Sequence, residues 1–571
     1  MHCALFLNPL HRRPFLSASL LHIRRMSLKT LGVLPASDLK DGQMKEVAFG
    51  DGRVLLSRLG DKIHATSAFC THYGAPLAKG VLAADGRVVC PWHGACFNVC
   101  TGDIEEAPAP NALHSFQAKI VDDQIFVTAD PSATLKDNLA RPPKLSTSGN
   151  TAGDGVVIVG GGSATFHAIE SLREARLNGF KGPITILTKE RHTPIDRTKL
   201  SKALITDASK IEYRSAADLK IKYGTNIRVG VTATSINFEK KQVILEGGKD
   251  TVSYEKLILA PGGVPRRLPI PGAELSNVFT LRSVEDTKKI DAAAQEGKRL
   301  VVIGSSFISM ELVAAVAKRK LTSIDVIGME EYPFEVVLGK EVGKALQKIH
   351  EANGVKFHMG AKVDKIVANE SDESIATSVV VNGETLPCDF VVMGVGVAPA
   401  TQFLKDSGMT LEKDGGLKVD EYLAVPGYPD VYAAGDIVHY PMAAAGEHKR
   451  IEHWNVAGNH GRAIGKTISG VSEPFNLVPI FWSAQGQQLR YCGVGAGFDD
   501  VFIKGDLEKY QFIAYYIKQG KVVAVATMGS DPVVSASAEL IRLGLMPSAE
   551  EIKAGKDPLS VDISTISALK K

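Results

Sequence analysis

Two short boxes carry the chemistry of this chain. Cys70-x-His72 is followed, after seventeen residues, by Cys90-x-x-His93. Thiolate sulfur and neutral imidazole nitrogen are donors that hold soft and borderline metal ions. Zinc is one option, because Cys2His2 ligation is common, but its usual spacing is Cys-x-x-Cys and then His-x-x-x-His. Here each box supplies one sulfur and one nitrogen. That mixture suits a 2Fe–2S cluster in which two cysteines hold one iron and two histidines the other.

The stretch resembles a Rieske cluster-binding site. The resemblance rests on His72, Gly74, Ala75, Pro76 and Leu77 and on the run Cys90 to Gly94. It implies Cys70, His72, Cys90 and His93 as metal ligands, with an exposed His72/His93 edge as the exit for electrons. High-potential respiratory members carry two further cysteines that tie the loops together; Ala75 and Trp92 stand there in this chain. Those members also set a Ser and a Tyr hydroxyl against the cluster sulfurs, where this chain has Ala95 and Phe97. Hydrogen bonds to sulfur favour the reduced, more negative cluster. Their loss implies a potential near the low end of the Rieske range, roughly −150 mV. Such a centre suits a carrier fed by a nicotinamide. Cys96 and Cys100, just past the second box, read as thiols rather than ligands.

The elements that must hold these boxes are short. Residues 27–132 run in brief Val-, Ile- and Phe-rich segments with turns at Gly50-Asp51-Gly52 and Asp85-Gly86. That predicts an all-β domain holding the cluster loops at one end. Residues 133–153, rich in Pro, Ser, Thr, Gly and Lys, read as a linker. From Val156 the run V-V-I-V, then Gly160, Gly161 and Gly162, then a helical stretch, predicts a strand, a Gly-x-Gly turn and a helix. In that unit a pyrophosphate sits on the helix N-terminus, which the glycines let it approach. Thr165 stands at the third fingerprint position, where Gly or Ala is usual. Glu190, after the next strand, lies where ribose hydroxyls are accepted. A second unit opens at Arg299 with R-L-V-V-I-G-S-S. It keeps Gly304 and Glu311, while Ser306 and Ser309 replace the second and third glycines.

The run Glu190 to Lys202 resembles the stretch that ferredoxin reductases and apoptosis-inducing-factor-like flavoproteins lay along FAD. The resemblance implies that Arg197 and Lys202 neutralise pyrophosphate or flavin charge. Val431 to Asp436 resembles the second FAD box, with Asp436 on the ribityl chain. Gly394 and Gly396 match the turn that passes the nicotinamide. Glu452 and His453 match the helix start beside the isoalloxazine ring, and Trp482 an aromatic that packs on the flavin. These three are the candidate catalytic residues. The acid expected after the strand I-D-V-I is missing, and Gly328 stands there. Glu330 and Glu331 follow, which leans the donor toward NADH over NADPH.

The whole chain sets further bounds. Its 571 residues suggest about four domains. Apolar content of 44%, charged content of 23% and a net charge of +3 are those of a globular protein and give no reason to invoke nucleic acid. No apolar run is long enough to span a bilayer. Seven cysteines argue for a reducing compartment. No Cys-x-x-x-x-Cys follows the first fingerprint, so glutathione-reductase-type dithiol chemistry lacks its nucleophile. Arg12, Arg13, Arg24, Arg25 and Lys29 precede the first acid, Asp38. The segment 1–26 therefore resembles a mitochondrial presequence, with translation from Met26 in the cytoplasm as the other reading.

The expected architecture is an N-terminal all-β Rieske domain, then two α/β Rossmann-like domains, then a C-terminal α/β reductase domain. The FAD domain is expected at 154–278 and 392–470, the NAD(P) domain at 279–391 and the last domain at 471–571. The expected activity is electron transfer from NADH or NADPH through FAD to the cluster and on to an unidentified acceptor, possibly an oxygenase or other redox protein. A homodimer is allowed. Two other readings stay open: a nicotinamide-responsive redox sensor with little turnover, and a general diaphorase whose cluster is structural.

Overall fold

The computed structural model describes residues 28–146, 153–177, 179–442 and 447–565. The leader lies outside the described residues, as do residues 147–152 of the expected linker. Among the described residues no helix is long and apolar enough to cross a membrane.

The N-terminal unit is all β, as expected. Its larger sheet orders Lys29–Pro35, Gln124–Ala129, Ser115–Val121, Lys62–Ser67, Gly52–Leu59 and Met44–Phe49 as antiparallel neighbours. A smaller sheet of Val81–Leu82, Arg87–Val89, Cys96–Asn98 and Ile104–Glu106 carries the second box between its middle strands, and the first box lies on the connection into it from Lys62–Ser67. Part of the expected linker belongs to this unit, because Ala140–Arg141 pairs antiparallel with Ala112–Leu113.

Val156–Val159 is buried at all four positions and lies between Ile184–Thr188 and Lys256–Leu259, both parallel to it. Burial on both faces is what a central parallel strand requires, and it explains a run with no polar alternation. Helix α1, Ser163–Leu172, follows the glycine turn. A short helix α2, Thr198–Ala203, comes next. The second parallel sheet orders Val278–Phe279, Phe390–Met393, Arg299–Ile303, Ser323–Ile327 and Val355–His358, and α3, Phe307–Val316, follows its glycine turn. The boundaries expected at 278/279 and 391/392 therefore cut through strands. Both strands pair wholly within the second sheet, so their backbone hydrogen bonds assign them there.

Helix α4, Trp454–Ile468, crosses α1 at close range. A Cβ on Gly461 would overlap the Ala164 carbonyl, and one on Gly465 would come 2.7 Å from Ser171 Cβ. Each glycine costs a helix roughly 1 kcal/mol relative to Ala, and here that cost permits backbone contact between the helices. The chain closes with the antiparallel sheet Ile480–Ala484, Gln488–Gly493, Lys521–Met528, Gln511–Lys518 and Asp500–Asp506, followed by α5, Val533–Leu543.

Candidate redox site

The two boxes fold into matching loops. Cys70 N–H donates to the Ala75 carbonyl and Gly74 N–H to the Cys70 carbonyl; Cys90 N–H donates to Ala95 and Gly94 N–H to Cys90. Each loop turns at a glycine of positive φ, +74° at Gly74 and +70° at Gly94, which a side chain would resist. The loops meet so that the sulfurs of Cys70 and Cys90 contact each other and the Nδ1 atoms of His72 and His93 lie 3.0 Å apart. A metal ion at the usual nitrogen distance of about 2.0–2.1 Å reaches both. His72 Nε2 is buried without a partner.

Burial pushes the His72 imidazole down to about 4 and His93 well below its ordinary value, so both rings are neutral donors at pH 7. Burial raises the Cys70 thiol. At Cys90 burial also opposes ionisation, but hydrogen bonds from Cys70 and from the His93 and Trp92 backbone hold its thiol below the usual range. Among the described residues no three His, Cys, Asp or Glu side chains converge as a single-ion site requires. The four candidate ligands divide instead into a sulfur pair and a nitrogen pair, an arrangement that would suit two irons. Cys96 is buried and Cys100 exposed, and both are free thiols. Ala95 and Phe97 are fully buried and bring no hydroxyl to the sulfurs.

The histidine edge is not exposed, contrary to the expectation from sequence. His93 is 6% exposed, and its ring lies 4.0 Å from that of Trp482, itself 8% exposed. His72 is flanked by Trp454 at 5.9 Å and by Tyr73 at 3.9 Å. The edge faces the reductase because the second loop is clamped there from three sides. Ser535 Oγ on α5 donates to the Cys90 carbonyl at 2.9 Å, Arg490 Nε to Trp92 at 3.0 Å, and Asn455 Nδ2 to His93 at 3.4 Å. Gly94 packs on Ile480, which a Cβ would approach to 2.6 Å. Further along, the Ala107 amide donates to Asn459 and Arg462 donates to the Ile104 carbonyl. Arg87 bridges Glu106 and Glu539 of α5.

The first dinucleotide turn suits a pyrophosphate. Gly160 has φ +122°, and a Cβ there would overlap the Ala260 carbonyl, whereas a Cβ on Gly162 would meet open space at the start of α1. Thr165 is accommodated because its hydroxyl donates to the Gly160 carbonyl at 2.9 Å. Glu190 follows strand Ile184–Thr188 and pairs with Arg197 at 2.7 Å. Burial raises its carboxyl, but the Arg197 charge outweighs this and holds it below the usual range. Asp436 accepts from Arg282 at 2.7 Å.

Lys202 and Glu311 come together, which sequence motifs did not indicate. The motifs put Lys202 on FAD charge and Glu311 in the second fingerprint. The structure joins them at 2.9 Å where α2 meets α3. Glu311 is 3% exposed and also accepts from Ser201 Oγ at 2.5 Å and Ser483 Oγ at 2.6 Å. Lys202 Nζ lies 5.3 Å over the Trp482 ring. One ion pair thus joins both dinucleotide units and the C-terminal sheet.

At the second turn Gly304 has φ +104°, and a Cβ there would overlap the Gly394 carbonyl. Ser306 is exposed at the N-cap of α3 and its side chain caps nothing, so the hydroxyl is free to donate. Gly396 opens onto free space, whereas Gly394 is pressed against Ser309. Ser305 Oγ donates to Glu330 at 3.4 Å. His453 precedes α4 with its Nδ1 buried and unpartnered, its ring edge-on to Phe481 at 4.7 Å. Burial pushes it down to about 4, so it is neutral. Glu452 pairs with Arg450 and is raised by burial. Sequence motifs did not single out Tyr73, Arg282, Trp454, Asn455, Arg490 or Ser535. Tyr73 lies within the first box, and Trp454 and Asn455 follow His453 in the run matched at the helix start; Arg282, Arg490 and Ser535 act through contacts distant in sequence.

Comparison with known proteins agrees with these units. Residues 29–117 match the model for the Rieske [2Fe-2S] domain, 154–461 that for pyridine nucleotide-disulphide oxidoreductase and 480–560 that for the reductase C-terminal domain. The chain is 39% identical to apoptosis-inducing factor 3 of Mus musculus, over 91% of this chain and 85% of that protein. It is 30% identical to rhodocoxin reductase of Rhodococcus erythropolis, over 70% of this chain and 92% of that one. Among solved structures, that of the covalent putidaredoxin reductase–putidaredoxin complex is similar with a TM-score of 0.67 and 27% identity, covering 74% of this chain and 100% of that one.

Proposed function

The chain belongs to the pyridine nucleotide-disulphide oxidoreductase family, with a Rieske domain ahead of it and a reductase C-terminal domain behind, and from that premise we propose that it is a closed electron-transfer chain from NADH to its own cluster. The protein is an NAD(P)H-dependent oxidoreductase of FAD and Rieske 2Fe–2S type whose acceptor is unidentified. When bound, FAD takes a hydride from the nicotinamide and returns single electrons. The rest is the work of side chains. Gly160, Gly162, Glu190, Arg197 and Asp436 would bind and orient FAD. Gly304, Ser306, Gly394 and Gly396 would bind the nicotinamide dinucleotide. Lys202, held by Glu311, keeps a positive charge beside Trp482. Glu452 and neutral His453 would border a bound flavin, and Trp482, in ring contact with His93, would bridge the flavin side to the cluster side.

The contact between Trp482 and His93, with the second loop clamped behind it, is the observation that supports this reading best. Glu330 beside Ser305 supports NADH over NADPH, because a carboxylate there repels a 2′-phosphate. The basic leader supports a mitochondrial address. The test is anaerobic stopped-flow reduction of the holoprotein with NADH and, separately, NADPH, following flavin absorbance and the cluster's EPR signal. Rapid flavin bleaching by NADH followed by a Rieske-type signal is expected. Flavin bleaching with the cluster left oxidised would overturn the chain.

A further inference from the structure

A cluster whose histidine edge is closed on its own reductase needs another way out for electrons. Four aromatic neighbours touch the ligand rings. Trp482 is buried, and Trp92 and Trp454 are partly covered. Tyr73 is 41% exposed, and its ring stacks on His72 at 3.9 Å with an interplanar angle of 26°. Its hydroxyl donates to Asp196 Oδ2 at 2.8 Å, so the exposed ring is held in place by the reductase.

Two lysines stand near it. Lys199 Nζ stands 5.6 Å over the Tyr73 ring. Lys136 stands 5.3 Å over Phe69, within reach of Gly74, and Leu135 beside it is 39% exposed. Asp196 is buried, and its oxygens are taken by Tyr73, Thr198 and Lys199. Asp137 is an exposed acid on the Lys136 turn. An aromatic and aliphatic centre with a lysine rim suits a carboxylate-bearing partner.

We infer that electrons leave the cluster through His72 and Tyr73, to an acidic one-electron carrier protein that docks on Tyr73, Leu135, Lys136 and Lys199. This rests on the reading above. Each transfer oxidises the cluster by one electron and reduces the carrier's metal by one, with no bond made or broken.

The test uses holoprotein whose cluster is reduced with dithionite, so that it does not depend on the nicotinamide half. Rubredoxin, an acidic one-electron iron protein, is the probe, and basic cytochrome c is the control. Carbodiimide cross-linking followed by peptide mapping should join rubredoxin carboxylates to Lys136 or Lys199. Lys136→Glu with Lys199→Glu should weaken rubredoxin binding about tenfold or more and leave cytochrome c no worse. Tyr73→Leu should slow cluster reoxidation by rubredoxin about tenfold, a barrier change of about 1.4 kcal/mol. Tyr73→Phe, which keeps the ring, should restore most of the rate. Cross-links that map elsewhere would overturn the proposal. So would a Tyr73→Leu variant that reoxidises normally, or one that slows transfer from flavin to cluster instead. A cluster that NADH cannot reduce would overturn the proposed function and leave this test standing.

Discussion

The imidazole of His93 and the indole of Trp482 lie with ring centroids 4.0 Å apart, across the boundary between the cluster domain and the C-terminal sheet. His93 belongs to a loop clamped by Arg490 and Ser535, and Trp482 to a strand paired with the one that carries Arg490. The contact is therefore fixed on both sides. Trp482→Leu should slow reduction of the cluster by reduced flavin about tenfold or more, which needs only about 1.4 kcal/mol of added barrier. Flavin reduction by NADH should change less. Double-mixing stopped flow separates the two steps.

Cys90→Ser should remove the Rieske EPR signal while FAD stays bound, because the first dinucleotide turn shares no ligand with the boxes. NADH should still bleach the flavin, and reduction of a one-electron protein acceptor should fall to background. Full activity with such an acceptor would favour the diaphorase reading.

Glu311→Leu should cost stability sharply, because it leaves the half-buried Lys202 without its carboxylate partner. Breaking one side of a buried pair costs about 3–5 kcal/mol. The double variant Lys202→Met, Glu311→Leu should recover part of that loss, although Ser201 and Ser483 lose their acceptor. Thermal unfolding of the three variants measures the coupling.

Glu106 gives the contact between the cluster domain and α5 a pH dependence. Burial raises its carboxyl from 4.5 to about 7, with Glu539 adding to the shift and Arg87 opposing it. The folded protein therefore binds this proton more tightly than the unfolded chain. The contribution of Glu106 to stability is fullest below about 4.5 and declines as pH rises toward 7, where the folded carboxyl also ionises. Glu106→Gln should remove this slope. Its Tm relative to the parent should rise between pH 5 and pH 7.5, a range set by that shift, and a constant difference would sink the assignment.

The two Cys/His boxes, as candidate donors, and both dinucleotide units were legible in the sequence. A cluster demands particular donor atoms at short spacing, so Cys70, His72, Cys90 and His93 declare themselves within one stretch. A phosphate-binding turn demands glycine where the backbone must pass close, as at Gly160 and Gly304. These are local constraints, and local sequence records them. The orientation of the cluster was decided only by tertiary structure. Arg490 and Trp92 are 398 positions apart, and nothing in either neighbourhood announces that one clamps the other. The same holds for Lys202 and Glu311, which two separate motifs claim for two cofactors and which packing joins as a pair. Hydrogen bonds between distant loops and the burial they enforce turned the histidine edge inward. Donor chemistry was written along the chain, whereas the side the histidine edge faces followed from which surfaces the folded chain brought together.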